Sequence, residues 1–125
     1  MSADEEDVTI TEKDLAALKN DVLKENIYEI SSQLGDPGRY FASFKAKEIL
    51  DRTDCETIKA QVTSMEKANV FIDTISGRCG RKGEHPYDVF VGALKRMKVH
   101  IHIVRILNQA LAKKIAELKT TKRVQ

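Results

Sequence analysis

Few side chains in this sequence could carry chemistry: two cysteines, three histidines and a dense run of charge from Gly38 to Val62. His100 and His102 are two residues apart, a spacing that a helix splays onto different sides. His85 stands far from both, in a Gly-rich stretch. Zinc needs ligands at a fixed, converging spacing; none is present, so no metal is expected. Cys55 and Cys79 form no C-x-x-C pair. Cys79 lies among Arg78, Arg81 and Lys82, cations that would lower its pKa. No base or orienting partner can be assigned to it, as nucleophilic catalysis requires. There is no G-x-x-x-x-G-K-[ST] phosphate cradle and no serine nucleophile elbow. The parts of an enzyme are missing, and neither a catalytic group nor a cofactor is expected.

That leaves the charge. The net balance of +2 hides a strong asymmetry. Residues 1–30 hold nine acids against Lys13, Lys19 and Lys24, whereas residues 78–125 hold twelve Lys or Arg against Glu84, Asp88 and Glu117. Such polarity favours head-to-tail contact between copies, or a partner of opposite sign. Nucleic acid is a weaker fit. The cations are not interleaved with exposed aromatics, and the acidic half would repel phosphate.

At 125 residues the chain is one domain's worth, able to bury a core without disulfides or metal. No apolar run approaches the ~20 residues that span a bilayer, so no membrane partner is expected. The acidic N-terminus has the wrong sign for a signal sequence. With two unpatterned cysteines, a reducing, cytoplasmic setting is expected.

The elements that must position these charges are all helical. Thr11-x-x-Asp14 reads as a capping box opening the first helix. Its apolar stripe (Leu15, Leu18, Val22) gives way to a displaced one (Leu23, Ile27, Ile30, Leu34), which predicts a kink near Val22–Glu25. "GDPG" ends it, and a second helix is expected from about Arg39 to Leu50. Thr53-x-x-Glu56 and Thr63-x-x-Glu66 read as capping boxes for a third and a fourth. "SGRCGRKGEHP" is a loop, Pro86 opens the fifth helix, and the sixth carries Val104, Leu107, Leu111, Ile115 and Leu118 into a basic end. The expected architecture is all-α: an acidic tail over 1–10, a six-helix antiparallel bundle over 11–112, and a basic extension of the last helix over 113–125. Tyr40, Phe41 and Phe44 are expected in the core.

Over "TEKDLAALKNDVLKEN", "RYFASFKAKEILDRTDCETI" and "TSMEKANVFID" the chain resembles the caspase recruitment domain family of the death-fold superfamily, and in particular its signalling adaptors. The likeness is good over residues 9–75 and loose over 100–119. It departs from the family at "SGRCGRKGEHPYDVF", where the loop is longer. The resemblance implies a death-fold bundle with a kinked first helix and a domain that polymerises with itself into helical filaments. It also implies nucleation by the same kind of domain in a coiled-coil scaffold, recruitment of a paracaspase, and NF-κB activation.

Carried over by position, the contact residues would be the cations Arg39, Lys45, Arg52 and Lys67 with Asp54 and Glu56 as acidic partners. Lys45 and Lys67 stand where arginine is more usual, and Glu48 stands where a cation is expected. The segment after the domain, with Lys114, Ile115, Leu118 and Lys119, would be the partner-binding tail. A prodomain of an initiator caspase, or a viral decoy that blocks assembly, has the same bundle and is the competing reading. A small helical nucleic-acid-binding module is the third.

Overall fold

The computed structural model describes residues 9–124, so of the acidic segment expected over 1–10 only Thr9 and Ile10 fall within the described residues. The first capping signal is realised. Thr11 Oγ1 accepts the Asp14 N–H at 3.0 Å, and the Asp14 carboxylate accepts the Thr11 N–H at 3.2 Å. This box opens α1 (Glu12–Glu25). The helix breaks at Asn26, whose side-chain amide donates back to the Val22 carbonyl at 2.8 Å. α2 (Ile27–Leu34) then resumes on a new course. The break falls one residue beyond the expected kink, and the adjacent, fully buried Val22 and Leu23 mark where the apolar stripe changes side. Gly35 closes α2 with φ +66°, a conformation that costs glycine nothing.

Two local expectations need correction. The helix expected from Arg39 to Leu50 is instead a 3₁₀ turn (Pro37–Tyr40) running into a short α3 (Phe41–Ala46). The chain then reverses through Glu48 at φ +60°, and the Phe44 carbonyl accepts the N–H of Ile49 at 2.9 Å. The reversal turns both Ile49 and Leu50 into the core, where a continuing helix would have separated them. The next helix, α4 (Arg52–Lys59), is capped by Asp51, not Thr53. Asp51 Oδ1 accepts the Asp54 N–H at 2.8 Å, and Asp54 Oδ2 accepts the Asp51 N–H at 2.9 Å. Aspartate is the stronger N-cap, and Thr53 becomes an interior residue whose carbonyl accepts the Thr57 hydroxyl.

α5 (Ser64–Ile75) starts at Thr63, whose hydroxyl accepts the Glu66 N–H at 3.1 Å. α6 (Pro86–Met97) has Pro86 in its first turn, and α7 (Ile101–Val124) runs unbroken into the basic end. No strand occurs among the described residues. Counting α1 and α2 as the halves of one broken helix, the seven α segments form a six-helix bundle.

The core is an aromatic chain. Phe44 meets Phe71 edge-on at 5.2 Å between centroids, Phe71 meets Phe90 at 5.8 Å, and Tyr40 meets Phe90 at 5.9 Å. Tyr40, Phe44, Phe71 and Phe90 are fully buried and Phe41 nearly so. Edge-to-face pairs of this kind add about 0.5–1.5 kcal/mol each beyond burial alone. Around the cluster, α2 packs on α5, α3 on α6, and α7 across α1 and α6. This rigid centre fixes where the charges emerge.

A candidate protein-interaction surface

α4 is where most of the expected contact residues converge, and the structure divides them into two sets. Asp54 lies on the inner side of the helix. Its carboxylate completes the Asp51 cap and takes two hydrogen bonds from the Arg78 guanidinium, at 2.7 and 3.2 Å. Arg78 Nη1 also donates to the Ile49 carbonyl at 3.0 Å. The Arg78 guanidinium holds the Asp54 carboxyl below the usual carboxylate range, and Asp54 in turn pushes Arg78 up. These charges are engaged within the chain.

The long loop between α5 and α6 is the reason. It folds back on the α3–α4 corner, where the Arg81 N–H donates to the Lys47 carbonyl at 2.9 Å. On its other side the Gly77 N–H donates to Asn20 Oδ1 of α1 at 3.1 Å. Gly80 permits the close approach, since a Cβ there would stand 2.7 Å from Glu84 Oε1 and 3.1 Å from the Lys47 carbonyl. Glu48, the acid found where a cation is expected, faces this loop through Arg81 at 3.8 Å. Arg78 is a structural residue that sequence reasoning missed, and nothing but its place in a cation-rich loop marks it.

The outer set is different. Arg39 ends the 3₁₀ turn, Lys45 ends α3, and both are exposed without an ion pair among the described residues. Lys59, in the last turn of α4, belongs with them and was not anticipated. Its ammonium sits 5.9 Å from the centre of the Phe41 ring. Lys45 and Lys59 flank a shallow groove floored by Gly38, Phe41, Ala42 and Cys55. Burial pushes the Cys55 thiol up, and the two lysines oppose that only in part, so the thiol stays protonated and unreactive. A position four residues after Cys55 on one helix face could have revealed Lys59. Arg52 and Glu56 pair with each other at 3.2 Å on the open surface, an arrangement too solvated to hold either firmly. Lys67 leans from α5 toward Asp36 at 3.7 Å.

Unpaired acids gather elsewhere. Asp21 on α1, Glu29 on α2, and Glu66 and Asp73 on α5 are exposed, with no ion pair among the described residues. Glu66 and Asp73 are seven residues apart, which stacks them along one face of α5, and α2 packs beside that helix.

The tail residues lie on α7. Lys114 Nζ is 2.8 Å from Glu25, and Lys122 Nζ is 2.6 Å from Asp14. The two bonds set α7 antiparallel to α1. Ile115 and Leu118 are half-buried along this seam and Lys119 is exposed. Lys122 holds the Asp14 carboxyl below its ordinary range, and Glu25 pushes Lys114 up. His100 Nδ1 and the Tyr40 hydroxyl are hydrogen-bonded at 2.8 Å.

The six-helix bundle with its broken first helix is consistent with a death-fold protein-interaction module, the class that the family match shows. More narrowly, the chain belongs to the caspase recruitment domain family, whose model matches residues 20–110. No curated protein and no solved structure matches it. Caspase recruitment domains mediate homotypic contacts, which supports a protein as the partner of this chain. No helix among the described residues is long and apolar enough to cross a membrane.

Proposed function

We propose that the chain is a non-enzymatic signalling adaptor whose copies join head to tail into helical filaments. The observation that carries this is a group of unpaired cations set apart from a group of unpaired acids. Lys13 and Lys24 are the exposed cations, unpaired among the described residues, that also stand on α1. Arg39, Lys45 and Lys59 stand on the α3–α4 side, while Asp21, Glu29, Glu66 and Asp73 stand on α1, α2 and α5. Two different, complementary surfaces on one chain make a heterologous contact, and repetition of such a contact builds an open helix rather than a closed dimer. Each contact can be weak, because the filament multiplies it.

Arg52 and Glu56, paired only on the open surface, can exchange their mutual contact for ones to a neighbour. Asp54, tied to the Asp51 cap and Arg78, fixes the start of α4, and Lys67 leans toward Asp36, the cap of the turn that carries Arg39. Likeness to the adaptor of B-cell lymphoma, Bcl-ten, in the lines quoted above supports a finer reading. In it a coiled-coil scaffold with its own caspase recruitment domain nucleates the filament, in the cytoplasm. Lys114, Ile115, Leu118 and Lys119 then recruit a paracaspase toward NF-κB. The prodomain and decoy readings share the bundle, and what separates them is behaviour with such a scaffold domain: an adaptor elongates, a decoy caps.

The test is negative-stain microscopy of the purified chain. Salt-sensitive filaments are expected, together with folded monomers for Lys45→Glu and for Glu56→Arg. Filaments unchanged in both variants would sink the surface assignment. Absence of filaments from the unaltered chain at low salt would sink self-assembly itself.

A further inference from the structure

We propose that the corner joining α6 to α7 docks on an anionic bilayer surface. The corner is built to project. α6 ends at Met97, and Lys98 takes the left-handed conformation with φ +63°, so that the chain turns sharply into α7 at Ile101. Three large apolar side chains are left in water there: Met97 is 41% exposed, Val99 54% and Ile101 49%. Among the described residues only Tyr28 and Val62 are other large apolar side chains so exposed, and each stands alone in its segment. Here three occur within five residues.

Their surroundings select the partner. Lys95 precedes them, Lys98 lies between Met97 and Val99, and Arg105 lies one turn beyond Ile101 on the same face of α7. All three cations are exposed and without an ion pair among the described residues. No carboxylate occurs anywhere from residue 89 to residue 116. An apolar tip with exposed cations beside it, in a stretch of chain without acids, complements a surface that is apolar inside and negative at its face. The exposed apolar groups of the tip are two branched aliphatic side chains and one thioether. Its one exposed ring is the small His102 imidazole, a poor platform for the bases of single-stranded nucleic acid. Insertion to the depth of a few side chains requires no spanning helix. The corner adjoins the 3₁₀ turn through Tyr40 and His100, but none of Lys95, Lys98, Val99 and Ile101 lines the Lys45–Lys59 groove, so the inference does not depend on the filament reading.

Flotation of the full chain with phosphatidylcholine vesicles, with and without a third of phosphatidylserine, tests it. Lipid-bound protein rises, whereas filaments without lipid stay below, so assembly and membrane binding are read separately. Binding to the anionic vesicles alone is expected. Lys95→Gln and Lys98→Asn, the latter suited to a positive φ, should each weaken it about five-fold. Val99→Ser with Ile101→Ser should weaken it about ten-fold or more at unchanged charge. Circular dichroism of each variant should match that of the parent. No flotation with phosphatidylserine would overturn the proposal. So would flotation indifferent to the Val99/Ile101 pair, which would leave a purely electrostatic surface. If that surface bound duplex RNA equally well in anisotropy measurements, it would be read as a nucleic-acid contact instead.

Discussion

Asp54 and Lys59 stand on the same eight-residue helix, and their surroundings could hardly differ more. Asp54 is tied into a cap, a guanidinium and, through it, a loop that the sequence leaves long and glycine-rich. Lys59 has only an aromatic ring and solvent. One side of α4 spends its charge on holding the chain together, and the other leaves charge available to an outside partner. Presence of charge alone therefore does not mark a candidate contact surface; a charge already engaged within the chain is the weaker candidate. By that criterion the α3–α4 groove faces outward and the Asp54–Arg78 knot does not.

The comparison can be broken at its root. Phe71→Ala removes the ring that touches Phe41, Phe44 and Phe90, and should cost about 3–5 kcal/mol. Urea unfolding would show it, and both sides of α4 should lose function together. Next, Asp54→Ala should cost about 1–2 kcal/mol, mostly from the cap, because Arg78 is too exposed for its ion pair to count fully. A further sign of the knot's loss would be faster proteolysis within residues 76–86. By contrast, Lys45→Ala should shift stability by no more than about 0.5 kcal/mol while abolishing filaments. Equal stability losses in Asp54→Ala and Lys45→Ala would erase the distinction.

The smallest expected effect is a pH dependence on neither side of α4. Burial depresses both His85 and His100. His85 Nδ1 accepts the Tyr87 N–H while Nε2–H donates to the Ala16 carbonyl, and His100, hydrogen-bonded to the Tyr40 hydroxyl, has Arg39 and His102 beside it. Each is thus held neutral by its fold. The unfolded chain takes up these protons first, so stability is whole above about pH 6.5 and declines as pH falls below it toward the depressed folded values. Asp14, Asp54 and Glu84 are depressed carboxylates, so their contribution is lost only in a separate, more acidic window. A urea midpoint that does not fall between about pH 7 and about pH 5 would refute the first window, and one that falls less in Tyr40→Phe would assign part of it to His100.

Helix count, the broken first helix and the aromatic core were legible because each rests on a periodic or capping pattern within one segment. Asp51 was misjudged in favour of Thr53 because two overlapping boxes compete, and only the buried positions of Ile49 and Leu50 decide where the helix can start. The shortened α3 was hidden for a related reason. Glu48 at positive φ carries no sequence signature, since glycine or asparagine is the usual residue there. Of the candidate surface, Arg39, Lys45, Arg52 and Glu56 lie on the exterior. Arg78 and Lys59 were missed because their roles depend on partners 24 and 18 residues away, Asp54 and Phe41, which no local pattern reports.

The hold of Lys122 has a geometric corollary. Besides Asp14, its ammonium donates to the Thr9 carbonyl at 2.8 Å, so the two extremities of the fold meet at one pole. Joining Thr9 to Arg123 through a short linker, and reopening the chain between Lys82 and Gly83, should yield a circular permutant that still folds. In a polymer of such subunits, anything tethered to either extremity would leave from the same pole of every copy and decorate the assembly in register.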